Sequence, residues 1–226
     1  MFARNKFQYD LATGRMTLPV AVIICLAMCG ITYQTQTDLL SLAINGLIAY
    51  CLLELNTTFS LIRTRTTLHV ALFLLFFAGF PFLHTYSHEQ WIPLLFIVSL
   101  SCLFRSYESP YAATPIFHSF FFLGIGSFLL PQVLYFVPLL YFYMIGLRAF
   151  TLRTFLAGLI GLLTPYWIVL SYHLYTGQPG QTWQPFMALG SFPPIDYSVL
   201  TLSQLVSGIT AILIAAICCV ESLLHS

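Results

Sequence analysis

Residues 116–147 read IFHSFFFLGIGSFLLPQVLYFVPLLYFYMIGL, an apolar run of about 32 residues that is broken by Pro131-Gln132. As a single helix this run would extend about 48 Å at 1.5 Å per residue, whereas the hydrocarbon core of a bilayer is about 30 Å thick. The sequence therefore predicts two short helices, 116–130 and 132–147, joined in a tight hairpin. A re-entrant pair is the alternative, and it keeps the same sidedness.

The composition of the whole chain points to a membrane in the same way. Of 226 residues, 59% are hydrophobic and only 7% are charged, whereas a soluble domain carries about 25% charged residues. So few charges exclude a soluble globular enzyme, a disordered chain and a coiled coil. The net charge of +1 excludes nucleic acid as a partner. We predict an integral membrane protein whose main partner is the lipid bilayer.

Six further apolar runs flank the hairpin, and none shows the alternating pattern of a barrel strand. Because every backbone polar group must be satisfied inside lipid, helices are expected. The predicted fold is all-α, a polytopic transmembrane helical bundle of about eight spans, with residues 1–226 forming a single integral membrane domain. The spans are approximately 17–33, 39–55, 68–84, 90–105, 116–130, 132–147, 154–173 and 199–222.

The basic residues set the orientation of these spans. Lys and Arg concentrate in short cytoplasmic loops, and all eight of them fall on one side of an eight-pass chain. They are Arg4, Lys6, Arg15, Arg63, Arg65, Arg105, Arg148 and Arg153. We therefore predict that both termini are cytoplasmic. The last five would form a basic collar that contacts anionic lipid headgroups; recognition of a phosphate-bearing lipid is the more specific alternative.

A set of polar residues falls on the opposite, outer side of the predicted bundle. The set comprises Asp38, His84, His88, Glu89, His173 and Asp196. His84 and His88 would share a face if a helix continued through them, and two imidazoles with a carboxylate are able to bind zinc or to act as acid and base. Because their spacing matches no standard zinc motif, we interpret them as interfacial residues and expect no metal.

Cysteines and small residues favour packing roles. The six cysteines lie in apolar stretches, so no disulfide framework is expected, and Cys25 with Cys29 is interpreted as packing rather than as a metal pair. We expect no cofactor. In the last span, four small residues repeat at a spacing of four and form one helix face: Ser207, Ala211, Ala215 and Cys219. This face predicts a tight intramolecular contact, with self-association or docking on a membrane protein partner as the alternative.

The longest outer connection, 175–198, contains Trp183, Phe186 and Met187. Aromatic and long apolar side chains suit a segment that lies at the membrane surface. We therefore expect a surface anchor, and a lid over a cavity is the alternative.

Several weak motifs between Glu54 and Tyr172 suggest a family. They are the Leu-Ile-Arg-Thr-Arg loop at 61–65, Phe80-Pro81, Leu-Gly-Ile-Gly-Ser at 123–127, and Gly-Leu-Ile-Gly-Leu-Leu-Thr-Pro-Tyr at 158–166 after Arg148 and Arg153. Over about half of its length the chain resembles an uncharacterised family of multi-pass membrane proteins from Bacteroidetes. This resemblance implies a bacterial inner-membrane protein, and it carries over no catalytic residue.

Three functions are open to such a chain. Ionisable side chains are rare inside the predicted spans, where Asn45 is the most polar deep residue, so we favour a non-catalytic subunit or scaffold of an envelope or lipid-linked pathway. An enzyme or flippase acting on a polyprenyl-linked or other lipid is the first alternative, with Asp38 in the first outer loop as its acidic residue. A small-solute transporter is the second, although residues 17–105 and 116–222 show no convincing repeat.

Overall fold

The fold is taken from a computed structural model, which describes residues 17–32, 36–60, 67–80 and 83–190. Every regular element in these ranges is helical, as the sequence predicts. Several predicted features lie outside the described residues: Arg63, Arg65, Asp196, the span 199–222 and its small-residue face of Ser207, Ala211, Ala215 and Cys219.

Seven helices cover the seven predicted spans that fall in the described ranges, and a short eighth helix follows them. They are α1 Thr17–Thr32, α2 Gln36–Phe59, α3 Leu68–Gly79, α4 Trp91–Phe104, α5 Ala113–Leu129, α6 Phe136–Gly146, α7 Leu152–Tyr175 and α8 Gln184–Ala188. Single 3₁₀ turns at His88–Gln90, Pro131–Tyr135 and Pro179–Trp183 precede α4, α6 and α8.

Two of the described helices are long and apolar enough to cross a bilayer, over Asp38–Phe59 and Leu152–Tyr175. A core helix of a soluble protein reaches the same length, but only 28% and 33% of the most apolar stretches of these two helices are buried. The other apolar helices have 10–17 residues, so their lengths alone do not establish an eight-span bundle.

The predicted break in 116–147 is confirmed. Leu130 is extended, with φ −141° and ψ 104°, and Pro131 opens a 3₁₀ turn. The chain then doubles back, so that the rings of Phe120 and Tyr141 lie 4.5 Å apart. Ala112 and Ala149, at the far ends of the two helices, belong to one buried cluster. Residues 116–147 therefore form an antiparallel helical hairpin rather than one long helix.

The odd-numbered helices run in one direction, and the even-numbered helices run in the opposite direction. The hydroxyls of Thr17 and Thr67, at the starts of α1 and α3, are 3.5 Å apart. The rings of Phe59 and Phe104, at the ends of α2 and α4, are 5.5 Å apart. Along α4 and α5, which are antiparallel, the Ser99 hydroxyl donates to the Ser119 carbonyl at 2.8 Å. Successive helices thus alternate in direction, as a chain that threads back and forth requires.

The backbones of α5 and α7 approach each other closely, and glycine makes this contact possible. A Cβ added at Gly161 would overlap the carbonyl oxygen of Phe117, and one at Gly124 would lie 2.9 Å from the carbonyl oxygen of Leu162. Beyond these glycines, the Ser127 and Tyr166 hydroxyls are hydrogen-bonded at 2.5 Å. Small residues allow backbones to approach, so that dispersion contacts and polar bonds hold the pair.

Large apolar side chains remain exposed on the outside of the described bundle. Ile23 on α1 is 66% exposed, Phe142 on α6 is 69% exposed, and Trp167 on α7 is 74% exposed. Apolar surface of this extent is rare on monomeric soluble proteins and indicates a membrane or a protein partner.

Replacing Gly161 by Ala is expected to destabilise the fold by about 1–3 kcal/mol, because the new methyl group meets backbone atoms that cannot rotate away. Gly146→Ala is the matched control, since nothing lies within 4 Å of a Cβ there, and its effect should stay within about 0.5 kcal/mol. The free energy of unfolding in mixed detergent micelles measures both variants. Equal stability of the two would contradict the close α5–α7 contact.

Candidate functional site: a groove between α1, α2 and α3

A groove runs along the first three helices and consists of two adjoining cavities. The cavities have volumes of about 250 Å³ and 240 Å³ and share Leu26, Leu42 and Phe77 as common walls. In the described residues α1 packs on α3 and α3 packs on α2, whereas α1 and α2 have little direct contact. The groove therefore lies between α1 and α2, with α3 as its floor.

The first cavity is the polar end of the groove, and it contains two residues of the predicted outer set. Asp38 and His84 line it together with Cys29 and Gly30. Asp38 lies in the first turn of α2, where the unpaired backbone N–H groups of a helix favour a negative charge. The local sequence therefore explains the position of Asp38, and the packing of α1 and α3 supplies the cavity in front of it.

His84 is held by the end of α3. Its side chain is only 5% exposed, its Nε2 lies 3.0 Å from the carbonyl oxygen of Phe77, and its ring centroid lies 4.9 Å from that of Phe77. Because a carbonyl only accepts, Nε2 carries the proton of this bond. His84 thereby gives a second hydrogen bond to a carbonyl in the last turn of α3, which also accepts from the Phe80 N–H at 3.3 Å.

Hydrogen bonds to the carbonyl of Leu83 place His84 at this position. The Ser41 hydroxyl on α2 donates to that carbonyl at 3.0 Å, and the Gln90 side-chain amide donates to it at 2.9 Å. The same Gln90 amide also donates to the carbonyl of Thr85 at 3.0 Å. The connection between α3 and α4 is thus fastened on both sides of the histidine.

The second cavity continues the groove toward the middle of α2. Asn45 is its polar lining residue, and its side-chain amide donates to the carbonyl of Ser41 at 2.9 Å. The remaining lining residues are apolar or small, and they include Cys25, Gly46 and Leu74. Asn45, the deepest polar residue predicted from the sequence, therefore lines the groove, and its side chain is hydrogen-bonded within its own helix.

The helix that would place His84 and His88 on one face does not continue through them. α3 ends at Gly79, and Phe80 is extended with φ −117° and ψ 90°, because the residue before a proline avoids the helical region. His84 lies in a turn, whereas His88 opens the 3₁₀ turn before α4. His88 is exposed and hydrogen-bonded to the Tyr86 hydroxyl at 3.3 Å.

The other members of the outer set are spread over the fold. Glu89 is exposed beside His88. His173 lies on α7, where its Nδ1 is 2.8 Å from the hydroxyl of Thr182. Among the described residues no group of three His, Cys, Asp or Glu side chains is able to hold a metal ion. Of the five members that the structure describes, only Asp38 and His84 line one cavity.

The connection after α7 folds back onto the bundle. Phe186 packs on Tyr166 with ring centroids 4.6 Å apart, and the Tyr135 hydroxyl donates to the carbonyl of Leu189 at 2.7 Å. Trp183 is 50% exposed and Met187 is 75% exposed. The described part of this connection, up to residue 190, packs at the α5–α7 end and turns apolar side chains outward. The surface anchor stays a prediction.

The described basic residues lie at the end of the bundle opposite to Asp38. Arg105, Arg148 and Arg153 are exposed. Arg148 pairs with Glu108 at 3.2 Å, and this pair links the α4–α5 turn to the α6–α7 turn. With side chains 79% and 50% exposed, such a pair contributes little stability. It does show that the two turns share one end, as the distribution of basic residues predicts.

Most of the groove could not be predicted from the sequence. Leu26, Leu42 and Phe77 are ordinary apolar residues of three different helices, and nothing in their spacing indicates a shared cavity. The hydrogen bond between Ser127 and Tyr166 was likewise missed, since neither residue carries a recognisable motif. The useful signal was the position of Asp38 and His84 on the same side of the predicted topology.

His84→Phe is expected to lower stability by about 1 kcal/mol, because the ring is kept while the bond to the Phe77 carbonyl is lost. His88→Phe is the control and should change stability by less than about 0.5 kcal/mol, since His88 is exposed. Thermal unfolding of the purified protein in a mild detergent compares the two. Equal effects would contradict a fastening role for His84.

Comparison of the chain with protein-family models, with curated proteins and with solved structures gives no match. Support for a function therefore comes from the residues of this chain: the groove, the alternating helices and the apolar exterior.

Proposed function

We propose that the chain is a multi-pass protein of a bacterial inner membrane with both termini in the cytoplasm. We further propose that it serves as a non-catalytic subunit or scaffold of an envelope or lipid-linked pathway. The observation that carries the membrane proposal is the alternation of helices whose outward side chains are large and apolar. Such a surface is stable next to lipid tails and unfavourable in water.

Helix lengths are compatible with this proposal when the connecting turns are included. α5 has 17 residues and α7 has 24, against about 20 for a typical span. α6 has 11 residues, and the 3₁₀ turn Pro131–Tyr135 adds 5 more. Short helices are accommodated by local thinning of the bilayer or by snorkelling of flanking residues.

The exposed basic residues support the orientation. Arg105 and Arg148 occupy the two turns that share one end of the bundle, and positive charge is retained on the cytoplasmic side. The Asp38 end, with His84 and Asp38, would then face outward.

Reporter fusions test the topology. Alkaline phosphatase fused after Gln132 or Gly177 should be active, because the enzyme folds only outside the cytoplasm, whereas fusions after Ser109 or Arg148 should be inactive. Fluorescent-protein fusions at the same four positions should give the inverse pattern. An inactive phosphatase at Gln132 beside an active one at Gly177 would indicate that the hairpin does not reach the outer surface.

The scaffold proposal is supported by how the polar side chains of the groove are used. His84 binds a helix-end carbonyl, Asn45 binds the carbonyl of Ser41, and Ser41 itself binds the carbonyl of Leu83. Each of these bonds stabilises the bundle. Polar side chains that are hydrogen-bonded to the protein's own backbone hold the shape of the groove, which is the role expected in a scaffold.

Native mass spectrometry of the protein released gently from its own membranes tests the scaffold role. We expect a protein partner in a fixed ratio, because a scaffold has no activity without the molecules that it assembles. A lone monomer under conditions that preserve a known membrane complex would overturn this part of the proposal.

An enzyme or flippase acting on a lipid is the second candidate, and one observation favours it: a carboxylate and an imidazole, Asp38 and His84, line the same cavity. If these groups carry the reaction, Asp38→Asn should abolish turnover of a polyprenyl-linked or other lipid while the protein level is unchanged. His88→Ala, at an exposed position, is the control. Unchanged envelope glycans in Asp38→Asn cells would count against this candidate.

A further inference from the structure

We propose that the groove between α1, α2 and α3 binds one phospholipid with a primary-amine headgroup. Its ammonium would contact Asp38, and one acyl chain would lie along Leu26, Leu42 and Phe77. The inference rests on the proposed membrane location, and it names a ligand that a scaffold or a lipid enzyme would equally hold.

The length of the groove matches one leaflet. From Asp38 at the polar end to Ala49 in the second cavity, α2 rises by about 16 Å at 1.5 Å per residue. Half of a hydrocarbon core of about 30 Å is about 15 Å. The groove therefore runs from the level of Asp38, where the headgroup would lie, to near the middle of the bilayer at Ala49, and the acyl chain would occupy the part below the headgroup.

The walls of the groove suit an acyl chain and allow it to enter sideways. Leu26, Leu42 and Phe77 line both cavities, and Leu74 adds to the second. Leu26 is 52% exposed and Leu39 is 55% exposed, so the opening between α1 and α2 is apolar. A lipid tail is able to slide in from the bilayer without passing polar groups.

The charge at the polar end selects the headgroup. Asp38 is the acidic lining residue of the first cavity, and no Lys or Arg is among the described residues that line it. A carboxylate has about four lone-pair sites, so it accepts from an ammonium in addition to its other bonds. A headgroup that ends in a phosphate would be repelled, whereas a primary ammonium offers three N–H donors to the carboxylate.

Gly46 provides a way to close the groove without disturbing the helices. It lines the second cavity, and no atom lies within 4 Å of a Cβ added there. A leucine at this position therefore occupies the space of the acyl chain. Gly146→Leu is the matched control, because Gly146 has the same open surroundings on α6 and lies outside the groove.

The test uses the full-length chain in nanodiscs that contain equal amounts of phosphatidylethanolamine, phosphatidylcholine and phosphatidylglycerol with identical acyl chains. Native mass spectrometry after gentle release counts the retained lipids. The wild type should keep one phosphatidylethanolamine with a preference of about five- to tenfold over the other two, since only its headgroup carries N–H donors. Gly46→Leu should lose the retained lipid, and Gly146→Leu should keep it.

Asp38→Asn tests the headgroup contact independently of the acyl-chain contact. This variant should retain one lipid but lose the preference for phosphatidylethanolamine. If it fails to fold, the wild-type preference for phosphatidylethanolamine over phosphatidylcholine still tests the ammonium contact, because the two headgroups carry the same charges and differ in whether the nitrogen bears three hydrogens or three methyl groups.

Three results would overturn the inference: equal retention of the three lipids by the wild type, undiminished retention by Gly46→Leu, or a photo-crosslinker at Leu26 that joins residues 199–222 of the same chain in place of a lipid. The reporter fusions keep this inference separate from the proposed function. If the fusions alternate as expected but no lipid is retained, only the lipid site is contradicted. If the fusions do not alternate, the membrane proposal itself is contradicted.

Discussion

The contact between α5 and α7 is the interaction on which the second half of the fold depends. These two parallel helices approach until their backbones are in contact, with Gly161 against the Phe117 carbonyl and Gly124 against the Leu162 carbonyl. Where the surroundings are apolar, burial of apolar side chains gives no advantage, so close packing and hydrogen bonds must hold the helices. The bond between Ser127 and Tyr166 adds to this contact. The tilted rings of Phe120 and Tyr141, with centroids 4.5 Å apart, extend it to α6.

The first half of the fold is built differently. α1 packs on α3 through Ala21, Ala71 and their neighbours, while α2 is joined to α4 through a separate cluster of Ile44, Ile48 and Leu94. Because Ala49 of α2 also belongs to the cluster of α1 and α3, α2 joins these two helices to α4 and leaves a gap beside α1. The groove thus forms because α1 packs on α3 while α2 packs on α4, so that α1 and α2 do not close against each other.

The polar groups are sorted by their distance from the ends of the bundle. Asp38 and His84 close the groove at one end, and Arg148 with Glu108 joins two turns at the other. The intervening serines donate to backbone carbonyls, as Ser99 does to Ser119. In the part of the chain that the structure describes, no Asp, Glu, Lys or Arg side chain is buried, and this avoids the cost of transferring an ion from water.

The sequence by itself determined the all-helical class and the hairpin at Pro131, because apolar run length and a missing backbone N–H act locally. It also indicated that Arg105 and Arg148 share one end of the bundle. It did not determine where α3 ends relative to His84, since this depends on Phe80 and on bonds from Ser41 and Gln90. Nor did it determine the groove, whose walls come from Leu26, Leu42 and Phe77 on three separate helices. Only the tertiary structure decides such contacts, because they depend on which helix faces meet and not on the spacing within any one of them.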